Sequence, residues 1–218
     1  MKDIPIFTTP AGTASLILRE IPYKRTAYVL VRSVLPGGMG ETLRECRAFC
    51  LQAGAERVLA SADGPLDLPH DHDMLSMSRP KPGLPIPEPP VPLVPVTREN
   101  VRDYQAIYNR LFTQIPGAAT CHGMELDRLL SSGGAFLAAP EGKFSGIGET
   151  DGGELRAVGV LPEYRGLGRR LTLTLLGRLE GPDLRLRVSS VNERALRLYE
   201  RLGFQRRGVL SRWYIVTG

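Results

Sequence analysis

No stretch of this sequence approaches the roughly 18 consecutive apolar residues that a membrane-spanning helix requires. Its first ten residues, MKDIPIFTTP, lack the charged-then-apolar layout of a secretory leader. Cysteine is scarce: three residues without the paired spacing of a disulfide framework, which fits a reducing compartment. Lysine is nearly absent, at 4 residues against 24 arginines. Those arginines run through helical and strand patterns without interleaved aromatics, which disfavours a nucleic-acid surface. Together these absences predict a cytoplasmic protein with neither a membrane nor a nucleic-acid partner.

What is present is a chain of 218 residues, 42% apolar, long enough for one large core or two small ones. The net charge of +5 is unevenly spread: residues 151–218 carry 13 arginines against 7 acidic residues, and the remainder 15 basic against 16 acidic. The positive excess surrounds the stretch from Glu154 to Phe204. There an apolar strand ends in a Pro-containing turn, an Arg/Gly loop follows, and then come a helix over 168–180, a strand over 184–190 and a helix over 192–202. A glycine-rich turn between strand and helix gathers backbone N–H groups at a helix N-terminus, an arrangement that holds phosphate.

Asn192, Ala195, Leu198, Tyr199, Gly203 and Phe204 fall at fixed offsets across thirteen positions. They complete the pattern Asn-x-x-Ala-x-x-Leu-Tyr-x-x-x-Gly-Phe, and residues 91–218 resemble the GNAT N-acetyltransferase superfamily. The family's phosphate-loop pattern, Gln/Arg-x-x-Gly-x-Gly/Ala, aligns in two ways. Counted from Pro162, Arg165 and Gly168 fit and Arg170 replaces the second glycine. Counted back from the helix, Gly166 and Gly168 are the glycine pair and Glu163 falls at the arginine place. The resemblance implies an α/β (α+β) fold, a mixed, largely antiparallel splayed β-sheet flanked by helices.

Residues 1–79 echo the later half. Val34-Leu35-Pro36 matches Val160-Leu161-Pro162, Gly38-Met39-Gly40 matches Gly166-Leu167-Gly168, and a helix then a strand follow in both. This predicts two tandem GNAT-like units: a degenerate, non-catalytic unit over 1–79 and the acetyl-CoA-binding domain over 96–218. Between them, residues 80–95 hold eight prolines and read as an extended linker. Within the first half, strands are expected over 14–21, 27–34 and 57–61 and a helix over 41–53. Within the second, a helix capped by Thr97 is expected over 97–113, a shorter one over 124–130, strands over 135–139, 143–149 and 154–161, and a closing strand pair over 204–209 and 211–216.

The resemblance implies an acetyltransferase that moves an acetyl group from acetyl-CoA to an amine, by direct attack in a ternary complex. It places backbone groups of Val158, Gly159 and Val160 beside the pantetheine arm and thioester. Arg165, Gly166, Leu167, Gly168, Arg169 and Arg170 form the phosphate loop, and Asn192 contacts the cofactor while capping its helix. Tyr199 becomes the general acid for the departing thiolate, since a phenol with a reference pKa of about 10 stays protonated at neutral pH. Glu154 stands where some family members carry a base; Glu149 and His122 are the alternatives. The acceptor is a small-molecule or protein amine, and the protein a monomer or homodimer. The rival reading of the imperfect loop is a non-catalytic acyl-CoA-binding or regulatory module.

Two other groupings call for structural readings. His70-Asp71-His72-Asp73 has metal-like composition but no further ligand cluster and reads as a solvated turn, so no metal is expected. Cys46 and Cys50, one helical turn apart, read as buried core residues.

Overall fold

The computed structural model describes residues 4–217 and divides into two compact units, one of residues 1–74 with 209–218, the other of residues 75–208. The first unit contains β1 (Ile6–Thr9), β2 (Gly12–Ile17), the single-turn α1 (Ile21–Lys24), β3 (Thr26–Val34), α2 (Met39–Gln52) and β4 (Arg57–Ser61). β1, β2 and β3 form an antiparallel meander, and α2 carries the chain over to β4, which pairs parallel to β3 from Thr26↔Arg57 to Leu30↔Ser61. The C-terminal end of β11 (Gln205–Ile215) pairs antiparallel to β4 at Tyr214↔Ala60. The face of this sheet beneath α2 buries Leu16, Val29, Leu43, Val58, Cys46 and Cys50. Burial pushes the Cys46 thiol up to about 11 and the Cys50 thiol up to about 12, so both are protonated, apolar core residues, as their spacing suggests.

The second unit begins within β5 (His70–Pro80) and adds β6 (Leu93–Pro95), α3 (Val101–Phe112), α4 (Met124–Ser132), β7 (Ala135–Ala138), β8 (Gly146–Asp151), β9 (Glu154–Val160), α5 (Gly168–Arg178), β10 (Asp183–Ser189) and α6 (Glu193–Arg201). Its strand order is β5-β10-β9-β8-β7-β6, antiparallel from β6 to β9 and parallel between β9 and β10. Helices cover both faces of this sheet, the three-layer arrangement that buries two apolar faces at once. On one face α5 and α6 supply Leu171, Leu175, Leu176, Leu196 and Tyr199 against Leu155, Leu184 and Leu186. On the other, α3 and α4 supply Tyr104, Leu126 and Leu129 against Leu137, Ile147 and Ala157.

Four expectations need correction. The proline-rich stretch 80–95 lies inside the second unit: Val91 is 2% exposed, its N–H donates to Thr174 Oγ1 at 3.0 Å, and β6 at its end pairs with β7. Prolines leave few donors, but Val91 and Lys81, whose N–H donates to the Pro182 carbonyl at 2.7 Å, tie the strap down. The closing strand pair is one strand, β11, unbroken from Gln205 to Ile215. The sequence His70–Asp73 opens β5 instead of forming a solvated turn: His72 is fully buried, its Nδ1 lies 2.7 Å from Asp71 Oδ2, and its ring stacks on Trp213. Finally, α3 starts at Val101, not Thr97; Thr97 opens the preceding turn, its N–H donating to Asn100 Oδ1 at 2.8 Å.

Candidate active site

The site begins where two parallel strands part. β9 and β10 are in register only at Glu154↔Arg185 and Leu155↔Leu186. A strand advances roughly 3.3 Å per residue, so the β9 edge from Leu155 to Val160 runs about 16 Å beyond the last rung. A bulge sits at the parting: Glu149 opposes Ala157 while Thr150 opposes Leu155, leaving Arg156 as the extra residue. Such an insertion bends its strand and increases local twist.

Alternation decides which backbone groups face the gap. The Leu161 N–H donates to the Ser145 carbonyl on the β8 side at 2.8 Å. Residues 159 and 157 therefore also turn their N–H and C=O toward β8, and Val158 and Val160 turn theirs toward β10. The three residues singled out by resemblance thus separate. Val158 and Val160 present main-chain groups to the gap, and Gly159 bonds within the ladder. Gly159 has a packing reason to be glycine: a Cβ there would stand 2.8 Å from Leu111 Cδ1 and 3.4 Å from the Phe112 ring.

At its open end β9 passes into a 3-10 turn over Pro162–Leu167 and then α5. The 3-10 turn runs directly into α5, and no side chain caps the amides at its start around Gly168, Arg169 and Arg170. Gly166 and Gly168 have neither a positive φ nor a neighbour within 4 Å of a built Cβ. Backbone conformation and internal packing therefore leave both glycines unexplained, as they do Gly40, Gly64, Gly177 and Gly208. Arg165 and Arg169 are exposed, and Arg170 is half-buried with its Nε buried and unpartnered. Glu163, the arginine place in the second alignment, faces outward to Arg110 at 2.9 Å. Its own backbone N–H, and then Arg110, hold its carboxyl below the usual range. Both alignments share Gly168, and the helix starts there.

The Asn192–Phe204 signature proves to be mostly helix punctuation. Asn192 Oδ1 accepts from the Ala195 N–H at 3.2 Å and caps α6. Gly203, at φ 85°, ends it. The Phe204 N–H returns to the Tyr199 carbonyl at 3.0 Å and the Gly203 N–H to the Glu200 carbonyl at 3.0 Å, while the Phe204 ring packs on Tyr199 with centroids 5.9 Å apart. The Tyr199 hydroxyl is left without such a task. The residue is 8% exposed, and among the described residues its oxygen has no hydrogen-bond partner. Burial pushes its pKa up to about 12.

Glu154, at the closed end of the gap, lies 2.9 Å from Arg187 Nε on β10 and remains partly exposed. Glu149 lies on the α3/α4 face, buried, 2.7 Å from Arg128 Nη1 and 3.8 Å from Arg156 Nε. His122 stands beside Glu125 at 3.9 Å, in a loop pinned through Cys121 by Asn109 and Gln105. Sequence reasoning missed the Leu111–Phe112 contact over Gly159. The only sequence signal was Gly159 itself, which does not name its partner. Among the described residues no group of three or more His, Cys, Asp or Glu is placed to hold a metal ion, and no helix is long and apolar enough to cross a membrane.

Comparison with known proteins accords with this geometry. Residues 134–214 match the family model described as FR47-like protein. The chain is 45% identical over 67 residues to the N-alpha-acetyltransferase RimI of Mycobacterium tuberculosis, covering 30% of this chain and 42% of that protein. It is 36% identical over 172 residues to the mycothiol acetyltransferase of Thermomonospora curvata, covering 70% of this chain and 57% of that protein. The chain thus spans about half the length of these curated relatives. A solved tandem GNAT protein from the clavulanic acid biosynthesis pathway shares the fold, with a TM-score of 0.57 at 16% identity, over 98% of this chain and 82% of that one. With its parted parallel strands, glycine-flanked helix start and complete Asn192–Phe204 signature, the chain has the fold of the GNAT proteins and is similar in sequence to named acetyltransferases.

Proposed function

We propose that this protein transfers an acetyl group from acetyl-CoA to an amine, by direct attack while both substrates are bound. The observation that carries this reading is the parting of β9 from β10 after two rungs, which leaves a strand edge for the pantetheine arm to pair with. The residues fit the cosubstrate: open space over Gly166 and Gly168, uncapped amides at Gly168–Arg170, and three arginines around them suit a pyrophosphate.

In this reading the N–H of Val158 or Val160 donates a hydrogen bond to the thioester carbonyl oxygen and stabilises the negative charge that develops there. Glu154 takes the amine proton through a water, and Arg187 holds its carboxylate in place. Tyr199 donates a hydrogen bond to the departing sulfur. Its pKa of about 12 lies well above the reference thiol value of about 8.5, so it supports the thiolate before any proton moves. Asn192 holds α6, and hence Tyr199, in register with β10.

Residues 1–79 are the degenerate repeat in this account. Antiparallel β1, β2 and β3, crossover helix α2 and parallel β4 follow the same path as β7, β8, β9, α5 and β10. The start of α2 differs from that of α5 in a way that supports a non-catalytic role. A Cβ on Gly38, the counterpart of Gly166, would stand 2.8 Å from the Ala11 carbonyl oxygen, so the β1–β2 turn covers the place that is open at Gly166, while Gly40, the counterpart of Gly168, is as open as Gly168. Glu41 in its first turn would repel a phosphate. The shared fold of the tandem GNAT protein from the clavulanic acid biosynthesis pathway favours the same reading.

The test is thiol release from acetyl-CoA across an amine panel that includes peptides with free N-termini and small aminothiols. Glu154→Gln is expected to lower kcat by about 10²–10⁴ while acetyl-CoA still binds. Cosubstrate binding without transfer to any amine would favour the regulatory module.

A further inference from the structure

The gap between β9 and β10 has two walls, and the wall on the α3 side has a task not assigned above. Tyr199 belongs to the α5/α6 face of the sheet, with Val158 and Val160 packed against the same cluster. Leu111, Tyr108 and Phe112 belong to the cluster on the opposite face. If Tyr199 serves the sulfur and the strand edge at Val158–Val160 serves the carbonyl, the acyl carbon lies on the side of the sulfur away from Tyr199. An acyl tail leaving that carbon heads toward the α3 face. What it meets there is the pair that closes over Gly159: Leu111 Cδ1 at 2.8 Å and the Phe112 ring at 3.4 Å from a built Cβ.

We infer that Phe112, with Leu111, sets the acyl length this protein accepts, limiting it to acetyl. The inference rests on the acetyl-CoA reading and adds to it the wall that selects the acyl group.

The ring of Phe112 is held by more than the helix end it occupies. It packs on Tyr108 with centroids 4.6 Å apart, and Tyr108 packs in turn on Tyr104 at 6.1 Å. Tyr104 is fully buried and anchors the ladder to the core. Phe112 is the last residue of α3, so its ring hangs where the helix gives way to the following loop. Aromatic side chains have few rotatable bonds, and a ring fixed by stacking on a buried neighbour makes a firm steric stop. Gly159 is the complementary element: without a Cβ it lets the ring approach the strand edge to van der Waals distance. The methyl of an acetyl group needs no more room than a close contact leaves, and each added methylene must displace the ring or fold back into the gap.

The experiment is calorimetric titration of the whole protein with CoA, acetyl-CoA and butyryl-CoA, for wild type and Phe112→Ala. The readout is the ratio of butyryl-CoA to acetyl-CoA dissociation constants, which does not depend on an overall loss of affinity. The ratio in the wild type is expected to be at least about 10, the discrimination that a pocket achieves over one or two methylenes. In Phe112→Ala it is expected to fall to about 2 or below. Leu111→Ala, which opens the same wall from the neighbouring position, should lower the ratio in the same direction and serves if Phe112→Ala does not fold. A wild-type ratio near 1, or a ratio that survives both substitutions, overturns the inference while leaving cosubstrate binding intact. Failure of the wild type to bind either CoA or acetyl-CoA overturns the acetyl-CoA reading itself, and this inference with it.

Discussion

Replacing Tyr199 by phenylalanine separates structure from chemistry at one atom. The residue is 8% exposed, and its ring packs on Phe204 within the α5/α6 core, with no hydrogen bond from the hydroxyl among the described residues. Deleting an oxygen that satisfies no hydrogen bond removes a desolvation cost and no contact, so stability at pH 7 should stay within about 0.5 kcal/mol of wild type or rise slightly. The alkaline limb gives a second magnitude. Burial raises the phenol to about 12 in the folded protein, against about 10 unfolded. The folded state thus favours the neutral form: the associated stability is fully present below pH 10 and is lost as pH rises through 12. At pH 11 the loss is about 1 kcal/mol, and in full about 2–3 kcal/mol. Tyr28 and Tyr104 are also raised by burial, but they are common to both proteins and cancel in the comparison. Denaturant melts at pH 7 and pH 11 should therefore show Tyr199→Phe gaining on wild type by about 1 kcal/mol at the higher pH. Transfer should meanwhile fall by about 10²–10⁴ in kcat. A variant destabilised by more than about 1 kcal/mol at pH 7 would mean the hydroxyl holds the fold, and an unaltered kcat would remove Tyr199 from the mechanism.

Other perturbations have equally definite outcomes. Asn192→Ala deletes the acceptor of the Ala195 N–H and should cost about 1 kcal/mol of stability in a thermal melt, with Tm falling by roughly 2–4 °C. Gly134→Ala should be worse, because its Cβ would stand 2.0 Å from the Thr150 carbonyl oxygen at the start of the β7–β8 pair; we expect a loss of at least about 1–3 kcal/mol, with an unchanged melt contradicting the packing.

The sequence displayed the second unit well because its punctuation is local. Asn192 and Gly203-Phe204 bracket α6 with residues whose roles are fixed within thirteen positions, and the leucines of α5 recur at the spacing its burial requires. The strands that serve the unit boundaries were harder to see. In β5 the buried residues are His72, Leu75 and Met77, so the buried parity changes between 72 and 75, where the first unit gives way to the second. A strand that changes its buried face midway has no single period-2 signature. β11 fails for a related reason: residues 205–210 are all exposed, which erases the alternation and makes one strand read as two. In the site, residue identities singled out the proposed phosphate loop and Tyr199 as candidates. The division of labour among Val158, Gly159 and Val160 depended on one hydrogen bond, from the Leu161 N–H to the Ser145 carbonyl, and Phe112's place over Gly159 on a contact between residues 47 positions apart. Neither is written in local pattern.

The most direct test of the central claim is calorimetric titration of the wild type with acetyl-CoA, beside Gly168→Glu. The substitution puts a side chain and a negative charge into space that is open in the structure, at a helix start that no internal contact fills. It should leave the fold standing, since glutamate at a helical φ is unstrained and no atom lies within 4 Å of the new Cβ. The account predicts one-to-one binding by the wild type and a loss of at least about 100-fold in the folded variant, the effect of a charge opposed to phosphate at close range. Equal binding by both proteins would move the phosphates away from α5, and no binding by the wild type would contradict the acetyl-CoA reading outright.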